Sequence, residues 1–246
     1  LVGVPGCGKS LSAKFIAASW NLPLYRLDLA SIQGQYLGQS EGRLKDAFTS
    51  ADNASPCVLW IDEVEKGLAG ATGSSDGGTS TRMVGQFLFW LQESRFRVFV
   101  VATANDVSKL PPELLRRGRF DEIFFVDLPE DEERKDIINL YINRNLLTPP
   151  SSECLMQIVK SSEGFSGADL ESAVRDVAVK AVIHGDSIVS DELYVRCFTN
   201  VIPLSKTSPE RIESIRAWGR ERAVMASGGS WNVNNTSEKP TKRILI

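Results

Sequence analysis

The sequence predicts an α/β fold, a parallel sheet covered by helices on both faces and followed by a small helical unit. Three observations carry this. Residues 1–128 alternate short apolar runs with helical segments, as strand–helix–strand units on a parallel sheet do. The run Cys57–Ile61 is apolar without a break, the pattern of a strand buried on both faces. Beyond Pro129 the pattern is wholly helical.

Leu1-Val2 reads as the end of a strand, so further sequence is expected upstream. Residues 3–10, Gly-Val-Pro-Gly-Cys-Gly-Lys-Ser, fit the G-x-x-x-x-G-K-[ST] pattern of a phosphate-binding loop. The glycines let successive backbone N–H groups face phosphate oxygens, and the helix that follows puts its positive end there. Lys9 is placed to reach the β- and γ-phosphates of ATP and Ser10 to hold Mg²⁺. Cys7, between two glycines, reads first as an inert loop thiol; the helix N-terminus beside it favours a thiolate, and oxidation that obstructs the loop is the alternative.

Further strands are expected at Leu22–Leu27, Arg97–Ala102 and Ile123–Val126, with helices near 9–19, 40–51 and 79–94. Asp62 and Glu63 end the Cys57–Ile61 strand, where open α/β sheets bind ligands. Asp62 would support Mg²⁺, and Glu63 would be the base that polarises an attacking water. Asn105, at the end of the next strand, either orients that water or sits in a surface turn. Arg116, Arg117 and Arg119 form a cluster that is either a solvated or ion-paired face, or a source of cations for phosphoryl transfer. The stretch Gly67–Ser80 is Gly/Ser/Thr-rich and reads as a mobile loop.

In the helical part, Ser166 begins a helix with Asp169 at the capping-box position. Leu170, Ala173, Val174, Val177, Ala178, Ala181 and Val182 form its apolar stripe, and Gly185 ends it. His184, beside that end, reads as solvated or capping. A last helix is expected from Ser208-Pro209-Glu210 to about Met225. The expected division is an α/β body over 1–129, a helical unit over 130–207, a C-terminal helix over 208–226 and a disordered tail over 227–246.

The composition bounds the function. With 246 residues and 42% hydrophobic content the chain can bury a sizeable core. A net charge of −3 argues against a dominant nucleic-acid surface. No apolar run approaches the ~20 residues that span a bilayer. The four cysteines have no paired spacing, which suits a reducing compartment. A single histidine excludes an H-E-x-x-H zinc site within these residues.

The motifs together resemble those of an AAA+ ATPase, a P-loop NTPase, of the branch carrying the second region of homology; the likeness spans about residues 1–205. Gly3–Ser10 resembles Walker A and Val58–Glu63 Walker B. The resemblance implies a nucleotide site formed by Pro5, Gly6, Cys7, Gly8, Lys9, Ser10 and Leu11. It makes Asn105 the sensor-1 residue, and Arg116 and Arg119 the arginine fingers that reach a neighbouring subunit's ATP. Glu163–Asp169 resembles the sensor-2 region of a helical lid domain, which places Gly167 and Ala168 along the nucleotide. Ile137 matches the apolar contact to adenine. Gln35-Tyr36-Leu37-Gly38 resembles a pore loop, with Tyr36 facing the channel of a hexamer and gripping a polypeptide; a packed tyrosine is the alternative.

Three departures from the family pattern stand out: Tyr141 where many relatives have histidine, Glu65-Lys66 where relatives often have Asp and an apolar residue, and the long 67–80 stretch. The motif set most resembles a divergent branch found in cyanobacteria and encoded in some plastids, which implies a cyanobacterial cytoplasm or a plastid stroma. The expected activity is Mg²⁺-dependent ATP hydrolysis by a homo-oligomeric ring, a hexamer, that remodels an unidentified protein substrate. A nucleotide-controlled switch or scaffold without threading is the alternative. A DNA-handling ATPase fits less well, for want of a recognisable DNA-binding module.

Overall fold

The computed structural model describes residues 1–32, 39–68, 79–94, 96–116, 118–145, 147–184, 188–228 and 231. Tyr36, Arg117, Gly185 and most of the 67–80 stretch lie outside the described residues. In chain order the first half runs β1 (Val2–Gly3), α1 (Lys9–Ser19), β2 (Leu24–Leu27), α2 (Leu29–Ile32), α3 (Gln39–Asn53), β3 (Cys57–Ile61), α4 (Val64–Leu68), α5 (Thr79–Glu93), β4 (Val98–Ala102) and β5 (Phe124–Val126). The second half runs α6 (Asp131–Arg144), α7 (Ser152–Ser161), α8 (Gly167–His184), α9 (Asp191–Asn200), α10 (Leu204–Thr207), α11 (Pro209–Arg222) and β6 (Val224–Met225).

All strand pairings are parallel. Two three-stranded sheets, β2-β3-β4 and β1-β5-β6, meet through a parallel bridge between Val2 and Ala104, giving the order β2-β3-β4-β1-β5-β6. β3 is the middle strand of the first of these sheets, and all five of its residues are buried. Because strand side chains alternate, Leu59 and Ile61 pack on Leu44, Phe48, Met83 and Phe87 of α3 and α5. Val58 and Trp60 pack on Ala13 and Ala17 of α1. That two-sided burial is why Cys57–Ile61 carries no polar residue.

Helices α6–α9 enclose a core of their own, built from residues such as Ile138, Ile158, Leu170, Val177, Tyr194 and Phe198. Their starts are written in the sequence. Glu130 and Glu133 form a capping box on α6, and Ser151 and Ser190 cap α7 and α9. Ser166 Oγ accepts from Asp169 N (3.2 Å), and Asp169 Oδ2 accepts from Ser166 N (2.9 Å) at the head of α8. Of the expected stripe on α8, Leu170, Ala173, Val174, Val177 and Ala181 are buried and Ala178 is half-buried, but Val182 is 81% exposed. The helix outruns the neighbours that could cover its last turn. His184 is exposed, as expected of a solvated end.

Three further expectations are corrected. Gly67 and Leu68 belong to α4 and are buried, not part of a loop. The last helix ends at Arg222 rather than near Met225, and the chain then adds β6 beside β5. β6 supplies backbone partners to the edge strand, which helical periodicity cannot signal. Trp231, in the tail expected to be disordered, packs on Phe125 with ring centroids 4.8 Å apart and donates from Nε1 to Ala223 O (3.1 Å). A Cβ at Gly219 would lie 2.4 Å from the Phe125 ring, so glycine permits this packing.

Candidate functional site

The loop Gly3–Gly8 links β1 to α1 and lies at the C-terminal ends of the central strands, where parallel sheets open a crevice. Gly6 and Gly8 take φ of 78° and 87°, a region costly for other residues. A Cβ on Gly6 would also stand 2.8 Å from Ser166 Oγ. Gly8 caps α1 without any side-chain bond to the first-turn N–H groups, so those donors are available to an anion.

Lys9 is buried and donates to Val4 O (2.7 Å) and Gly3 O (3.0 Å). Burial lowers its pKa to about 8, against the upward pull of nearby charges. Burial likewise pushes the Cys7 thiol up to about 12. This favours the inert thiol over the thiolate: the loss of water around the sulfur outweighs both Lys9 and the Gly167 backbone N–H.

Walker B and its neighbours form one hydrogen-bonded set. Ser10 Oγ donates to Asp62 Oδ1 (2.9 Å), and Thr103 Oγ1 donates to the same oxygen (2.7 Å). Arg26 lies 3.3 Å from Asp62 Oδ2. Glu63 has φ of 49°, a strained value for a glutamate, which turns its side chain out of the strand line. Asn105 Nδ2 donates to Glu63 Oε1 (3.0 Å), and Lys66 Nζ lies 2.5 Å from Oε2. That bond and the Glu63 charge raise the Lys66 pKa.

The helical part closes the other side. Ala168 N donates to Gly6 O (3.0 Å), tying the head of α8 to the loop. Between the two sides lies an open cleft of about 710 Å³. Gly6, Cys7, Gly8, Lys9, Ser10, Leu11, Asp62, Glu63 and Asn105 line it from the sheet, and Ile137, Gly167 and Ala168 from the helices. Pro5 lines a neighbouring cleft instead. Arg116 is exposed and Arg119 donates to Leu88 O (3.2 Å); neither lines the nucleotide-sized cleft of its own chain.

Several residues of this set escaped the sequence reading. Thr103 directly follows β4, two residues before Asn105, and no strand period marks it. Glu65 stands out only as a departure from the family pattern, while Arg26 carries no signal at all. Nor does Arg216 of α11, which clasps Asp127 in the cleft wall, its Nε 2.9 Å from both carboxylate oxygens. In place of the histidine many relatives have, Tyr141 donates from its hydroxyl to Glu171 Oε2 (3.0 Å). Burial, that bond and the Glu171 charge raise its pKa.

The model of the "ATPase family associated with various cellular activities (AAA)" matches residues 1–128, with the phosphate loop, Asp62, Glu63 and Asn105 inside that span. The chain belongs to the AAA ATPase family. It is 40% identical over 228 residues to an uncharacterized AAA domain-containing protein, ycf46, of Pyropia yezoensis, across 92% of this chain and 46% of that protein. It is 32% identical to the peroxisomal ATPase pex1 of Schizosaccharomyces pombe over 250 residues, 100% of this chain and 26% of that one. The chain thus spans less than half the length of these relatives. Among solved structures, the FIGL-1 AAA domain superposes with a TM-score of 0.75 at 20% identity, over 91% of this chain and 76% of that one, a likeness of fold. As an AAA domain the chain is a nucleotide-binding ATPase module. Among the described residues no helix is long and apolar enough to cross a membrane.

Proposed function

We propose that this chain hydrolyses ATP with Mg²⁺ as the motor of a homo-oligomeric ring that remodels a protein. The observation that carries the reading is the convergence of Lys9, Ser10, Asp62, Glu63 and Asn105 at one end of a single cleft. Water attacks the γ-phosphate in line. Glu63 accepts its proton, and Asn105 orients both the water and the Glu63 carboxylate. Lys9 and the N–H groups of Gly6–Ser10 offset the charge on the phosphates. Ser10 Oγ and Asp62 Oδ1, 2.9 Å apart, are hard oxygen donors of the kind Mg²⁺ takes, and these residues would hold it. Bound there, Mg²⁺ would supply charge to the β- and γ-oxygens. Thr103 and Arg26 keep Asp62 oriented.

Ile137 offers an apolar face to adenine, and Gly167 and Ala168 let the head of α8 approach the nucleotide closely. On this reading 1–129 is the catalytic body and 130–207 a lid. Arg116 and Arg119, turned away from their own cleft, complete the site of a neighbour. That arrangement requires a ring, and six subunits is the size we propose. Tyr36 would line its channel. A switch without threading is the second reading, left open by the departure at 67–80 from the family pattern. A cyanobacterial cytoplasm or a plastid stroma is the setting we propose.

Glu63→Gln tests the chemistry. The amide keeps the shape but takes no proton, so ATP binding should persist in equilibrium titration while phosphate release stops. Unimpaired phosphate release would move the base to another residue.

A further inference from the structure

Glu65 is 3% exposed, an unusual place for a carboxylate. Its Oε1 accepts from the backbone N–H of Asn105 (2.9 Å), while its Oε2, also buried, has no hydrogen-bond partner among the described residues. Leaving such an oxygen unpaired is costly, so the burial calls for a reason beyond stability. The contacts supply one. Asn105 holds Glu63 Oε1 through Nδ2, so Glu65 grips the backbone of the very residue that aims the proposed base. The loops after β3 and β4 are also joined by Glu63 N to Thr103 Oγ1 (3.1 Å) and Val64 N to Thr103 O (3.0 Å). Those bonds fix the start of the β4 loop, and the Glu65 bond fixes its continuation at Asn105.

We infer that Glu65 is a positioning residue for ATP hydrolysis: it sets Asn105, and through Asn105 the orientation of Glu63. The inference rests on the reading of Glu63 as the base. What serves here is a side-chain oxygen that accepts the Asn105 N–H. Glutamate at position 65 has the reach to Asn105 from the first turn of α4, a turn whose backbone is held by Thr103. Without the acceptor, Asn105 loses its anchor, and small displacements of a reacting group have large effects on rate.

The test compares Glu65→Ala and Glu65→Gln in the full chain. Glu65→Ala should bind a fluorescent ADP analogue within about threefold of wild type and lower kcat about tenfold or more with KM little changed. Glu65→Gln, which keeps an acceptor for Asn105 N–H, should restore most of that kcat. The backbone N–H resonance of Asn105 should move in Glu65→Ala and stay near its wild-type position in Glu65→Gln. Wild-type kcat in Glu65→Ala would overturn the inference. So would an equal loss in both variants together with a lowered melting temperature, which marks a merely structural role. Hydrolysis by Glu63→Gln would remove the base assignment itself, and the Asn105 resonance distinguishes that failure, since it reports the Glu65–Asn105 geometry whatever the base is.

Discussion

The Lys9 ammonium donates to Val4 O at 2.7 Å, so the phosphate loop holds its own cation over its backbone carbonyls. Burial has already lowered the Lys9 pKa to about 8. Anionic phosphates bind the charged form, so nucleotide affinity should be full below about pH 8 and fall as pH rises through it. A drop of about tenfold between about pH 7 and pH 9 is expected by linkage. Lys9→Ala should bind poorly at every pH and show no such slope. The sign for stability is opposite: between about 8 and 10.5 the unfolded chain binds a proton that the folded one has lost, so Lys9 makes stability rise with pH there. Titrations with a fluorescent ADP analogue across pH check the first effect, and urea midpoints in wild type and Lys9→Ala the second.

Cys7 should be a slow nucleophile. With its pKa pushed up to about 12, almost none of it is thiolate at neutral pH. Alkylation by iodoacetamide, followed by mass spectrometry, should be slower at Cys7 than for an unstructured thiol. ATP turnover should be indifferent to mild oxidant. Rapid loss of activity that Cys7→Ala prevents would contradict this.

Arg116→Ala should cut turnover by about 10³-fold if the guanidinium serves a neighbour's phosphates, with nucleotide binding nearly intact. Mixing Arg116→Ala with Lys9→Ala subunits should recover activity, because some interfaces then pair an intact phosphate loop with an intact finger. No recovery in mixed rings shown to co-assemble would place the role of Arg116 within its own subunit.

Tyr36 separates motor from switch. In a channel, Tyr36→Ala should leave basal hydrolysis and assembly unchanged while substrate-stimulated turnover disappears. Tyr36→Phe should be mild, since grip depends on the ring. A packed tyrosine would instead cost about 3–5 kcal/mol on truncation, and all activities would fall together with the melting temperature.

The sequence by itself determined the alternating body, the phosphate loop and the acids after β3. Those features are local: glycines where φ must be positive, an apolar run for a strand buried on both faces, a capping box at Ser166 and Asp169. Chain neighbours alone enforce them, so they are legible one residue at a time. Tertiary structure decided what touches what. It placed Glu65 under Asn105, Thr103 and Arg26 around Asp62, and Arg216 against Asp127, pairs joining residues far apart in the chain. It also decided between the two readings of Cys7 and turned the end of the last helix into β6 with Trp231 behind it. The physical reason is common to these cases. Desolvation, ion pairing and edge-strand pairing depend on groups brought near by folding, and no periodicity within a short segment records them.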